Sequence, residues 1–279
     1  MSYKTILVHL DESRRTEERI RIAADIAINE GAHLVGVAMT GVSRFIYQSA
    51  HIGNGDPNLA IHLDFLRERA QGVLEKFEQS VIKLGVSSFE KRLVDDEAGA
   101  GVSIQGRYSD LIVLGQHDPD ETFPSTLSDF PEYVMLHSGR PVLIIPYAGQ
   151  FDSIAKKVLI SWDASREATR AITDAIPLLR KAHIVQVAVF NPSSASDEHG
   201  EQPGADIALF LARHNINVEV IPQQTEIDIG NALMSLANDQ NSDMIVMGGY
   251  GHARFREMIL GGVTQTVLKS MTVPVLISH

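Results

Sequence analysis

Met244-Ile-Val-Met-Gly-Gly-Tyr-Gly-His-Ala-Arg-Phe-Arg-Glu-Met-Ile-Leu-Gly-Gly-Val-Thr-Gln-Thr-Val-Leu268 is the stretch whose reading decides the fold of this chain. Its first four residues, Met244 to Met247, form an apolar run of strand length that stops at Gly248. Gly248, Gly249 and Gly251 cluster where such a strand must turn, and glycines admit positive φ and leave the backbone open to a ligand. Ten residues after Gly251 stand Gly261 and Gly262. Val263, Thr264, Val267, Leu268 and Met271 follow at spacings that line one face of a helix. A glycine-lined loop and a helix N-terminus would then share one strand end. Free backbone N–H groups and the positive end of the helix dipole make such a place favourable to phosphate.

The spacing Gly248-x-x-Gly251, nine residues, then Gly261 closely resembles the nucleotide-binding motif of the universal stress protein (UspA-type) family. That motif normally closes with glycine followed by serine or threonine. Here the second place is Gly262, which keeps an amide and lacks a hydroxyl, and Val263-Thr264 again match. The resemblance implies that ATP or another adenine nucleotide, with or without Mg, binds this half. It puts Asp163 near the adenosine and Val189 at the adenine edge. Met247, Gly248, Gly251, Gly261, Gly262, Val263 and Thr264 would surround ribose and phosphates. From the residues alone, Asp163 reads equally as a capping or turn carboxylate beside Ser165, and Thr264 as an ordinary first-turn residue. His252, Arg254 and Arg256 bring positive charge to the loop, where such charges are more often solvated.

The same unit occurs twice. Lys4-Thr-Ile-Leu-Val-His-Leu-Asp11 matches Lys156-Lys-Val-Leu-Ile-Ser-Trp-Asp163, offset by 152 positions. Ser109-Asp-Leu-Ile-Val-Leu-Gly115 matches Ser242-Asp-Met-Ile-Val-Met-Gly248, and Pro141-Val-Leu-Ile144 matches Pro274-Val-Leu-Ile277, both offset by 133. Three matches in one order indicate tandem duplication, with domains at 1–148 and 153–279 and a polar link between. In each unit near-continuous apolar strands alternate with amphipathic helices: Ile20, Ala23, Ala24, Ala27 and Ile28 line one, ending at Gly31, and Ala168, Ile172, Ala175, Ile176 and Leu179 line its counterpart. That pattern predicts α/β units with parallel sheets covered on both faces, whose ligands lie outside the strands' carboxyl ends. The family resemblance adds the detail: two tandem Rossmann-like (adenine nucleotide alpha hydrolase-like) domains, each a five-stranded parallel sheet of order 3-2-1-4-5. It also implies that the last strands, 142–145 and 273–277, pair within one chain as a pseudo-dimer. Dimerisation between chains is left open.

The first unit is longer between Thr40 and Ser88. A loop at 41–57 precedes a helical stripe of Leu63, Leu66, Ala70, Val73, Leu74, Phe77, Val81 and Leu84, whose spacing suits its own sheet or a partner helix. Repeat alignment sets Gly115 opposite Gly248, but Asp118, Ser128 and Asp129 opposite Gly251, Gly261 and Gly262. With Asp120 and Glu121 these carboxylates repel phosphate. The first unit is therefore expected not to hold a nucleotide through residues 116–129.

Composition narrows the function classes. A length of 279 residues accommodates two ordinary domains, and 44% hydrophobic content is that of a globular protein. A net charge of −11 argues against nucleic acid or an anionic membrane surface as partner. With no cysteine there are no disulfides or thiolate metal sites, and no signal peptide pattern or membrane-length apolar run appears, so the cytoplasm is the expected location. The eleven histidines show no close pair at ligand spacing, and His199 stands in an acidic stretch that reads as solvated. P-loop, nucleophile-elbow and first-strand dinucleotide motifs are all missing, as is any water-activating constellation. The reading is a regulatory, stress-responsive binder of adenine nucleotide. The alternatives are a slow ATPase and a nucleotide-free scaffold.

Overall fold

The computed structural model describes residues 2–43, 45–46, 57–121, 126–192, 202–250 and 262–279. Strands and helices alternate through the first repeat as β1 (Thr5–Leu10), α1 (Thr16–Glu30), β2 (His33–Met39), α2 (Pro57–Leu84), β3 (Phe89–Val94), α3 (Ala98–Gly106), β4 (Leu111–Gly115), α4 (Phe130–Ser138) and β5 (Val142–Ile145). The second repeat follows as β6 (Lys157–Ser161), α5 (Arg166–Leu179), β7 (Ile184–Phe190), α6 (Ala205–Arg213), β8 (Val218–Gln223), α7 (Ile229–Asp239), β9 (Met244–Gly248), α8 (Gly262–Ser270) and β10 (Val275–Ser278). The strands lie in the order β3-β2-β1-β4-β5 and β8-β7-β6-β9-β10, which is 3-2-1-4-5 in each repeat. β1 runs parallel to β2 and β4, and β6 runs parallel to β7 and β9. Two compact units are separated, Ser2–Val142 and Leu143–His279, the division falling at β5.

The register reproduces the sequence repeat residue by residue. Ile6 lies opposite Leu111 in the first repeat, and their counterparts Val158 and Met244 lie opposite each other in the second. One carboxylate fixes each pairing. Asp110 Oδ2 accepts the amides of Lys4 and Thr5 at 2.6 and 3.0 Å. Asp243 accepts those of Lys156 and Lys157 at 2.9–3.0 Å. The aspartate shared by the two Ser-Asp motifs thus satisfies backbone donors at the start of the neighbouring strand, where no ladder partner exists.

Ile6, Leu7 and Val8 are fully buried, as are Val158, Leu159 and Ile160, because helices cover both faces of a parallel sheet. The α1 stripe is buried at Ile20, Ala23, Ala24 and Ala27, while Ile28, counted in that stripe from the sequence, is 47% exposed. The helix stops at Gly31, whose φ of 61° sends its N–H back to the carbonyls of Ala27 and Ile28. In α2, Leu63, Ala70, Val73, Leu74, Phe77 and Val81 are buried. Phe77 shows that this stripe is spent on its own sheet: a Cβ on Gly36 of β2 would lie 2.5 Å from the ring. The ring also meets Phe89 of β3 edge-on at 6.1 Å. No described helix is long and apolar enough to cross a membrane.

Because Gly36 leaves the space that this ring fills, Phe77→Ala creates a cavity that nothing nearby can close. It is expected to cost about 3–5 kcal/mol, read as a lowered urea midpoint with an unchanged slope.

Candidate functional site

In the second repeat β9 ends at Gly248, in register with Ser278 of β10, and Met247 behind it is 3% exposed. The chain leaves the strand through Gly249, whose N–H donates to Ser278 O at 2.9 Å. Tyr250 follows in the left-handed region at φ 58°. Its N–H donates to Thr264 Oγ1 at 3.3 Å, so the strand end and the first turn of α8 are joined. Thr264 is buried, Val263 half-buried, and Gly262 exposed at the first helical position. This is the juxtaposition expected from the sequence. Gly251, Gly261, His252, Arg254, Arg256 and His199 lie outside the described residues.

Two glycines of the motif prove to do different work. A Cβ on Gly248 would lie 2.5 Å from Ala168 N and 2.7 Å from the carbonyl carbon of Glu167. The first turn of α5 rests directly on it, so the missing side chain is needed for helix–strand packing. A Cβ on Gly262 meets nothing within 4 Å. That position is open, and a hydroxyl-bearing residue would fit there.

Asp163, exposed one residue beyond Trp162, follows β6. Its Oδ1 accepts from Ser165 N at 3.0 Å and Ser165 Oγ at 2.6 Å. Ser165 Oγ in turn accepts from Ala168 N at 3.1 Å and caps α5. Asp163 is thus a turn carboxylate leading into the cap, and Ser165 is the capping residue. Val189 of β7 is fully buried, packed where Gly204 crosses it: a Cβ there would stand 3.1 Å from Val189 Cγ2. It is the candidate furthest from the Gly248–Gly262 cluster in character, being part of the core. His279 closes the other side, its Nδ1 lying 2.9 Å from Gly249 O. Its backbone oxygen accepts from Arg170 at 2.8 Å.

The corresponding edge of the first repeat is built differently. Asp11, the counterpart of Asp163, keeps the same turn: its Oδ1 accepts from Ser13 N at 3.1 Å and Ser13 Oγ at 2.6 Å. It also accepts from Thr16 Oγ1 and, at 2.6 Å, from the Arg19 guanidinium. The two side chains are 9% and 3% exposed. A Cβ on Gly115 would stand 2.3 Å from Arg19 Nη1. His9, buried beside them, tilts over Phe130 at 4.8 Å. Burial works to raise the Asp11 carboxyl, but Arg19, then His9 and the hydroxyls of Ser13 and Thr16, hold it well below the usual carboxylate range. Burial pushes the His9 imidazole down to about 4, with Asp11 opposing the shift and Arg19 adding to it. Glu121 is raised, by burial first and then by Asp11 and Asp118, against Arg19 and Arg14. Glu121 and Asp118 of this loop therefore share a field with Asp11, and sequence reasoning missed Arg19 as the cation in it. A signal existed: Arg19 stands three and four residues before Ile22 and Ala23, on the buried face of α1. Among the described residues no group of three or more His, Asp or Glu is placed to hold a metal ion.

Replacing Gly248 by alanine sets a methyl group against helix backbone and is expected to destabilise by about 1–3 kcal/mol. Gly262→Ser should stay within about 0.5 kcal/mol of wild type. Parallel urea unfolding of the two variants checks both. His9 supplies a pH signature. Its folded value lies below its unfolded 6.5, so its contribution is complete above pH 6.5 and is lost as pH falls towards about 4. That loss amounts to up to about 3 kcal/mol. Between pH 7 and pH 5 the urea midpoint of His9→Gln should fall less than that of wild type.

Comparison with known proteins agrees with this architecture. Residues 155–279 match the model of the universal stress protein family. A universal stress protein of Synechocystis is 26% identical over 179 residues, covering 60% of this chain and 57% of that protein. One from Methanocaldococcus jannaschii is 38% identical over 45 residues, covering 16% of this chain and 28% of that protein. The chain thus spans little more than half the length of the first curated relative and less of the second. The crystal structure of a universal stress protein from Archaeoglobus fulgidus covers 98% of this chain and 95% of its own, with a TM-score of 0.72 at 19% identity, a likeness of fold. Residues 155–279 thus match the universal stress protein family in sequence, and the whole chain shares its fold with a universal stress protein.

Proposed function

We propose that this chain is a stress-responsive regulatory protein that binds an adenine nucleotide through its second repeat. The observation that carries the reading is the Tyr250 N–H···Thr264 Oγ1 bond. It holds the end of β9 against the first turn of α8, at the carboxyl edge of a parallel sheet, where ligands of such sheets bind. The main-chain donors of a helix start then face one place, with the open Gly262 among them. Val263 and Thr264 complete the turn, and Gly251 and Gly261 belong to the same motif. Asp163 is spent on Ser165 through one oxygen and acts through the α5 cap as well as towards a ribose hydroxyl. Val189 shapes the adenine side from within the core. Phosphates would be held by main-chain amides. Gly262 in place of serine or threonine leaves one donor fewer, so binding is weaker than in a chain bearing the hydroxyl.

A nucleotide-free scaffold is favoured by the same glycine, and calorimetry separates the two. Titration with ATP, ADP and AMP should show saturable binding of at least one of them. Gly262→Ser should tighten it about tenfold, the effect of one hydrogen bond to a charged group. Absence of heat for all three nucleotides with both proteins would leave the scaffold reading standing. Release of inorganic phosphate in step with turnover would identify the ATPase alternative.

A further inference from the structure

The two repeats differ in bulk at the carboxyl edge, and the differences all run one way. His9, Thr16, Arg19 and Phe130 in the first repeat stand where the second has Ser161, Ala168, Ala171 and Val263. The four side chains of the first repeat are buried. Arg19 bonds Asp11 and Thr16 at 2.6 and 2.8 Å, occupies the space over Gly115, and its charge acts on the half-buried Glu121. His9 and Phe130 close the adjoining side. At the next strand end Met39 Sδ would lie 2.6 Å from a Cβ on Gly101, so a thioether fills that position too.

We propose that Arg19 is the built-in ligand of the first repeat: its guanidinium fills that edge and balances its acids, which confines nucleotide binding to the second repeat at one per chain. The proposal rests on the functional reading above for its stoichiometry, but the plug itself stands on geometry. A buried cation with one carboxylate partner cannot leave without exposing the other charge to a low-dielectric surround. The side chains of His9, Asp11 and Arg19 are buried, so the cluster leaves no room for a ligand between them. In the second repeat Ala171 removes the cation, and the small Ala168 lets α5 settle on Gly248. The open position there is instead Gly262, at the start of α8.

A double-mutant cycle on the full chain tests the plug. Arg19→Ala and Asp11→Ala should each lower the folding equilibrium constant of the first unit about a hundredfold or more. The double variant should lose far less than the product of the two, since neither charge is then left alone. Should Arg19→Ala fail to fold, the Nε–H resonance of Arg19 in the wild-type chain carries the test. Protection from solvent exchange supports the plug, and exchange as fast as that of a surface arginine overturns it. Calorimetry with ADP tests the confinement: one site per wild-type chain supports it, and a second site overturns it. Independent losses in the cycle overturn it as well. Absence of binding by ATP, ADP and AMP alike would count against the functional reading alone, leaving the cycle to decide the plug.

Discussion

Each sheet depends on one carboxylate that sets its central strands in register. Asp110 in the first repeat and Asp243 in the second accept the amides at the start of the neighbouring strand, at the end remote from the site. Parallel strands have evenly spaced ladders and no hairpin to fix their register. A capped start therefore determines what meets at the far end. Fixing Val158 opposite Met244 brings Ser161 opposite Met247, and the first turn of α5 then meets Gly248 at the end of β9. The same register in the first repeat sets His9 and Asp11 near Gly115 and its Arg19 neighbour. The chemistry at the carboxyl edge is inherited from a hydrogen bond at the opposite edge.

Duplication kept that frame and changed what the frame encloses. The turn Asp-x-Ser survives in both repeats with nearly identical geometry, 3.1 and 2.6 Å at Asp11 against 3.0 and 2.6 Å at Asp163. Yet Asp11 is drawn inward to a guanidinium while Asp163 remains at the surface. Two exchanges on the helix, Arg19 against Ala171 and Thr16 against Ala168, separate the two outcomes. A long cation on the inner face must be neutralised where it ends, and the strand-end aspartate is the group within reach. With alanine there, the helix backbone approaches the strand instead and rests on glycine.

Glycine illustrates why a motif does not by itself assign roles. Gly248 and Gly262 belong to one pattern, and both lack the side chain for which a ligand would have to make room. The structure gives Gly248 to the first turn of α5, at distances no Cβ tolerates, and leaves Gly262 facing nothing. Spacing along a chain reports that two glycines recur together. It does not report whether a helix or a solute occupies the space each leaves, because that depends on which element the sheet order brings alongside.

The sequence by itself determined the alternation of strands and helices, the duplication and its offsets, and the convergence of Gly248 with the start of α8. These follow from periodicity and from residues whose local conformational demands are strong, such as the stop at Gly31. It also held the acids of the first repeat in plain view. Tertiary structure alone decided that Arg19 acts on Asp11 and Glu121 together, and that Gly248 is packed and Gly262 open. Each of these concerns side chains brought together from strands and helices far apart in the chain. Burial and charge at such a meeting place are properties of the assembled edge, and no local pattern carries them.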